Sequence, residues 1–149
     1  MKIEIITDEE SEELTITIRC KEVTTEVEKL VNSLKNTSIS LIGKLNDEKV
    51  IIDLKDIYYF EAVENKVYAY LEKAVYEIEY KIAELNDLLK TTSFIQVART
   101  VVLNVNKINK IKTMVNGRIL AYLVNGEKII ITRVYANNFK NKIKGGGKH

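Results

Sequence analysis

Residues 97 to 112 read VARTVVLNVNKINKIK. The stretch carries Arg99, Thr100, Asn104, Asn106, Lys107, Asn109, Lys110 and Lys112, and not one acid. These side chains supply guanidinium, ammonium, hydroxyl and amide groups, all able to donate hydrogen bonds. Such donors suit a ligand made of anionic oxygens. They are set among Val, Leu and Ile, which call for buried sheet. The same bias extends along the chain. Residues 1 to 90 hold 12 Lys and Arg against 20 Asp and Glu, a net charge of −8. Residues 91 to 149 hold 11 against Glu127 alone, a net of +10. A basic third on a chain of net charge +2 points to a polyanionic partner for the C-terminal part. The competing reading is that basic strands pair with acidic ones inside the fold.

Other chemistries lack their residues. The one histidine, His149, lies in a GGGKH tail. That leaves no base for a Ser-His or Cys-His pair and no ligand cluster for zinc. With Gly43, Gly117 and Gly126 as the glycines before the tail, no phosphate-cradling loop can be built. The chain is therefore read as neither an enzyme nor a holder of a metal or other cofactor. Cys20 follows Leu14, Ile16 and Ile18 at alternate positions, which predicts a small buried hydrophobe on a strand face. The acidic run Asp8, Glu9, Glu10, Glu12, Glu13 reads as a solvated turn rather than paired catalytic carboxylates. No stretch approaches the ~20 apolar residues of a membrane span. The start MKIEIITDEE has no signal-peptide plan, so a cytoplasmic protein without a membrane partner is expected.

The positioning elements follow from periodicity. Residues 2–7 and 14–20 alternate like two half-buried strands joined by the acidic turn. Val23, Val27, Leu30, Val31 and Leu34 make one apolar stripe of a helix over 22–35. Residues 1–37 thus form a β-β-α segment too small to hold a core alone. From residue 38 the pattern is short strands. SISLIGKL and KVIIDL flank one turn, IYYFEA and KVYAYLE another, and AVYEIEY follows. Ile82, Leu85, Leu88 and Leu89 mark a helix over 81–90. SFIQVA and VVLN are extended, NVNKINK is a loop or helical turn, and IKTMV, RILAYLV and KIIIT are strands. The last three are joined by Asn116-Gly117 and Asn125-Gly126. Asn-Gly between apolar runs signals type I′ hairpins, so a three-stranded meander is predicted. Tyr135, Phe139 and Ile143 then mark a helix from near Arg133, and 145–149 a flexible tail. The meander returns Arg133 to the end of the sheet that holds Asn116 and Arg118. Most of the eight tyrosines alternate within strands, where packing is their expected task.

In order and in local text, LKDIYYFEAVENKVYAYL, YKIAELNDLL, FIQVARTVVLNVNKINKI and NGEKIIITRVYANNFK resemble the LytTR-type DNA-binding domain of bacterial transcription regulators. The resemblance covers residues 38–144. It implies a mainly β fold of elongated antiparallel sheets with short helices, beside the small N-terminal β-β-α segment. It also implies sequence-specific binding of double-stranded DNA, with loops at a sheet rim reading major-groove bases. Arg99 and Thr100 match the family's main reading loop, Asn65 and Lys66 a second contact, and Arg133 a third. Arg118 is added from the meander geometry alone. The chemistry agrees: Arg suits guanine O6/N7, Asn suits adenine N6/N7, and Thr and Lys suit phosphate oxygens. Each has a structural reading too. Arg99 could pair with an acid, Asn65 could serve only as a turn former, and Arg133 could lie idle in a helix's first turn. The receiver domain of many such regulators needs well over a hundred residues, more than 1–37 hold. That segment is instead expected to pack or to associate with a second copy, giving a homodimer on direct repeats. An RNA- or polyanion-binding β-domain and a protein-interaction module are the alternatives.

Overall fold

The computed structural model describes residues 1–35 and 39–146. The chain divides into two units, Met1–Thr37 and Ser38–His149.

The first unit holds one helix, α1 (Thr25–Lys35). It starts three residues later than the apolar stripe suggests, because the Thr24 hydroxyl accepts the Val27 N–H at 3.3 Å and caps it. Glu26 and Glu28 in the first turn suit the helix dipole. The acidic run does turn: Ser11 N–H donates to the Asp8 carbonyl at 3.1 Å, and Glu10 N–H to Asp8 Oδ1 at 3.0 Å. The two flanking strands predicted at 2–7 and 14–20 do not form, so the segment is not β-β-α. A lone two-stranded hairpin is marginal unless a layer covers its apolar face. Here Ile3, Ile5, Ile6, Leu14 and Ile16 face solvent. Cys20, expected to be buried, is exposed for the same reason.

The second unit is built on ten strands: β1 (Ser40–Leu45), β2 (Glu48–Asp53), β3 (Ile57–Val63), β4 (Lys66–Leu71), β5 (Val75–Ile78), β6 (Phe94–Ala98), β7 (Val101–Asn104), β8 (Ile108–Thr113), β9 (Ile119–Leu123) and β10 (Lys128–Ile131). Among the described residues it also has two α-helices, α2 (Ile82–Leu88) between β5 and β6 and α3 (Ala136–Gly146) after β10. A seven-stranded antiparallel sheet has the order β2-β1-β5-β4-β3-β7-β6, and β10-β9-β8 form the predicted meander. The architecture is mainly β with antiparallel sheets and few short helices, as expected. Helix α3 runs through Gly146, two residues into the predicted tail, and 147–149 lie outside the described residues.

Strands β3 and β7 each have a neighbour on both sides, and alternate side chains leave them on opposite faces. Phe60 and Val102 join Leu41, Ile52, Ala69, Phe94, the α2 residue Leu85 and Leu89, which caps that helix, in one core. Tyr59, Val101 and Leu103 join Val97, Ile119, Ala121, Leu123, Ile131 and Phe139 in the other. All four residues of β7 are buried because both faces are covered.

Asn104 ends that strand and has a structural task. Its Nδ2 donates to the Ile57 carbonyl at 2.9 Å. Its Oδ1 accepts from Ser93 Oγ at 2.7 Å and from Asn106 N–H at 3.0 Å. The last bond caps the 3-10 turn Val105–Lys107, after which β8 starts at Ile108, earlier than the IKTMV pattern predicts. Asn104→Ala leaves these buried groups unpaired and is expected to cost about 2–4 kcal/mol of stability, read from urea unfolding. A loss below half a kcal/mol would mean that the network does not hold the strand end.

Among the described residues, no helix is long and apolar enough to cross a membrane.

Candidate nucleic-acid interface

The β6–β7 turn is two residues long, Arg99 and Thr100, both exposed. Three bonds fix it. The Gln96 side-chain amide donates to the carbonyls of Ala98 at 3.2 Å and Arg99 at 3.3 Å, and Ala62 N–H donates to the Thr100 carbonyl at 2.9 Å. Gln96 is itself held, since its N–H donates to Asn86 Oδ1 of α2 at 3.1 Å. Sequence reasoning missed Gln96. Its only signal was a polar residue inside an apolar strand pattern.

The Ala62–Thr100 bond brings in a second turn. Glu61 pairs with Val101, so β3 ends beside Thr100 and turns at Glu64-Asn65 two residues later. Glu64 and Asn65 have φ of 49° and 68°, the pair of positive angles of a type I′ hairpin. Asn tolerates that conformation, so Asn65 is a turn former and is also exposed at the rim. Lys66 is exposed, but its Nζ lies 3.7 Å from Glu77 Oε1, which takes part of its charge.

The third arm comes from the meander. Thr132, just after β10, donates from N–H to the Val97 carbonyl at 2.9 Å and from Oγ1 to the same oxygen at 3.4 Å. Arg133 therefore leaves the sheet at the end that carries Arg99. The β8–β9 turn meets it there. Asn116 and Gly117 have φ of 66° and 76°, as the Asn-Gly signal predicts. A Cβ on Gly117 would stand 2.9 Å from Arg133 Cγ, so the arginine stem lies across the bare glycine. Arg118, half-buried, follows at once. Asn125-Gly126 differs. Gly126 alone has positive φ there, at 91°, and its N–H donates to the Leu123 carbonyl at 3.0 Å. This is a three-residue loop with a glycine bulge rather than a type I′ turn.

All six sequence-predicted residues thus lie on turns or strand ends at one rim. None of the ion pairs among the described residues uses an arginine, so Arg99 has no carboxylate within 4.0 Å. The other end of the sheets is different. The Val105–Lys107 turn lies there, tied by the Val124 N–H to the Lys107 carbonyl at 2.9 Å. Glu127, the sole acid of the basic third, sits there too. Burial first, and the Glu127 carboxylate second, hold the Tyr59 hydroxyl well above its ordinary pKa. Lys107 stacks over Tyr58 at 4.8 Å, and Lys110 and Lys128 over Tyr122 at 4.8 and 5.6 Å. The stretch that opened the argument therefore divides by position. Arg99 and Thr100 reach the rim, Asn104 holds the core, and Lys110 and Lys112 line the exposed β8.

Two substitutions probe this rim. Gly117→Ala adds a Cβ at a left-handed position and displaces the Arg133 stem. It is expected to cost about 1 kcal/mol of stability and to weaken binding of a polyanionic duplex roughly tenfold. Unchanged binding would show that the Arg133 seat is irrelevant. Glu64 is an acid on the same rim, and Glu64→Asn removes its charge while keeping a residue suited to positive φ. A gain of about twofold to fivefold in duplex affinity is expected by titration, with no loss of melting temperature. A weaker complex would place Glu64 among the useful contacts.

The chain matches the family model of the LytTr DNA-binding domain over residues 47–144. The structural unit starts earlier, with β1 paired to β2. It is 28% identical over 109 residues to the sensory transduction protein LytT of Enterococcus faecalis, covering 73% of this chain and 44% of that one. The chain therefore spans less than half the length of that relative. An uncharacterized HTH-type transcriptional regulator of Staphylococcus aureus is 23% identical over 145 residues, covering 96% of this chain and 98% of that one. Among solved structures, the LytTr domain of a protein described as a methyl-accepting/DNA response regulator from Bacillus cereus matches with a TM-score of 0.64 and 27% identity, over 71% of this chain and 95% of that one. With the family model spanning most of the chain and a solved LytTr domain sharing its fold, this protein belongs to the LytTR family of DNA-binding domains.

Proposed function

We propose that the chain is a sequence-specific transcription regulator that reads the major groove of double-stranded DNA with the turns of its sheet rim. The carrying observation is the pair of backbone bonds, Ala62 to Thr100 and Thr132 to Val97, that gathers three turns around Arg99 and Arg133. Both guanidinium groups lack acid partners among the described residues and stand on short, bonded turns. Arg99 and Arg133 take guanine O6/N7, and Asn65 takes an adenine edge. Thr100, Arg118 and Lys66 hold phosphates and set the register.

The rim favours a duplex over single-stranded RNA. Its turns Glu64-Asn65, Arg99-Thr100 and Val115–Arg118 contain no aromatic side chain on which a splayed base could stack, and Tyr135, in the turn that starts at Arg133, packs against the core. Tyr58 and Tyr59 are buried instead, and Tyr59 stacks on Tyr70 at 4.5 Å.

In this reading the protein works in the cytoplasm, without a cofactor and not as an enzyme. Two protomers occupy a direct repeat, where the second contact gains from raised effective concentration. Selection from random duplex DNA, followed by footprinting, tests it. A short recurrent site with protected guanines is expected. Equal binding of all duplexes, or of single-stranded RNA, would overturn it.

A further inference from the structure

Unit 1 presents two extended segments whose sheet-forming groups are unused. Among the described residues, 2–7 and 14–20 enter no strand pairing and no backbone–backbone bond. Yet their residues are those of strands. Leu14, Ile16, Ile18 and Cys20 alternate with Thr15, Thr17 and Arg19, and 14–20 contains no acid and no glycine. One end of this apolar row borders helix α1, with Ile18 half-buried and Cys20 still exposed. Helix α1 lies over it, leaving a groove of about 450 Å³ lined by Ile18, Cys20, Val23, Val27 and Val31. The other end is open: Leu14 is 93% and Ile16 60% exposed.

We infer that two copies of the chain associate by pairing residues 14–20 antiparallel with themselves about Thr17, with 2–7 of each copy as an outer strand. In this register Leu14 falls opposite Cys20 of the second copy, and Ile16 opposite its Ile18. The open end of each row then lies beside the end of the other that borders α1. Each α1 extends over the exposed residues of its mate.

Charge agrees with this hand of pairing. Each copy carries five acids between residues 8 and 13, and a parallel pair would bring both runs together. The antiparallel pair sets them at opposite ends. The area is also sufficient. Met1, Ile3, Ile5, Leu14, Ile16 and Val23 are all exposed. At about 100 Å² each they offer roughly 600 Å² per copy, approaching the ~800 Å² per partner of a stable interface. Four strands with a helical layer also meet the condition that a lone hairpin does not. The inference rests on the reading of paired protomers, but its test needs no DNA.

The full chain is examined by sedimentation at tens of micromolar, with Cys20, the one thiol, as reporter. A dimer is expected, and Cys20 reacts with a disulfide reagent at least several-fold more slowly at high protein concentration than at low. Ile16→Glu, at a position exposed in the single chain, is expected to be a folded monomer with fast, concentration-independent Cys20 reaction. It keeps its affinity for a single half-site. A wild-type chain that stays monomeric, with Cys20 reacting alike at all concentrations, would overturn the proposal. Efficient Cys20–Cys20 disulfide formation on mild oxidation would overturn the antiparallel register, which sets these residues about 20 Å apart. If the dimer forms yet binds no duplex, the DNA reading falls and the association stands.

Discussion

Raising the salt from 50 to 200 mM is expected to weaken the complex with its preferred duplex by a few hundred-fold. Neutralising about five phosphates gives a slope of roughly −4 to −5 in log K against log salt, by release of condensed counterions. The cations are at hand on the rim, Lys66 and Arg118, and along the exposed β8, Lys110 and Lys112. The one acid of the basic third does not oppose them, because Glu127 lies at the far end against Tyr59. A fluorescence anisotropy titration at four salt concentrations measures the slope. A flat response would leave the charge asymmetry without a DNA role.

The second large effect belongs to the two arginines. Arg99→Ala and Arg133→Ala are each expected to cost about 1–3 kcal/mol on the preferred site and to relax its sequence preference. Neither should lower the melting temperature, since both side chains are exposed and neither has an acid partner among the described residues. Lys110→Ala or Lys112→Ala is expected instead to weaken every duplex alike. The discriminating result is the ratio of specific to non-specific affinity. It falls for the arginines and stays constant for the lysines. An Arg99→Ala variant with lowered stability and unchanged binding would make Arg99 a structural residue.

The rim was legible in the sequence because it is a matter of strand direction. Two Asn-Gly pairs nine residues apart define a meander, and a meander returns Arg133 to the end that carries Arg118. The bond from Thr132 to Val97 was not legible, because it joins residues 35 apart through tertiary packing. Asn104 shows the same limit. Its type and neighbours resemble those of Asn106 and Asn109, yet a carbonyl 47 residues away, that of Ile57, makes it a core residue. Periodicity misled at 2–7 and 14–20 for a different reason. Alternation states that a segment can pair, and burial of its face depends on a layer that the first unit by itself does not supply. Gln96 and Gly117 support functional side chains by position alone, the one by hydrogen bonds to a turn and the other by lacking a Cβ.

The central claim is that guanidinium groups on the rim read guanine in the major groove. Methylation interference on the selected site tests it most directly, because dimethyl sulfate blocks guanine N7 in the major groove and adenine N3 in the minor groove. One or two methylated guanines are expected to exclude the wild-type chain, and Arg99→Ala is expected to lose the interference at one of them. Interference confined to adenine N3, or a pattern that Arg99→Ala leaves unchanged, would contradict it.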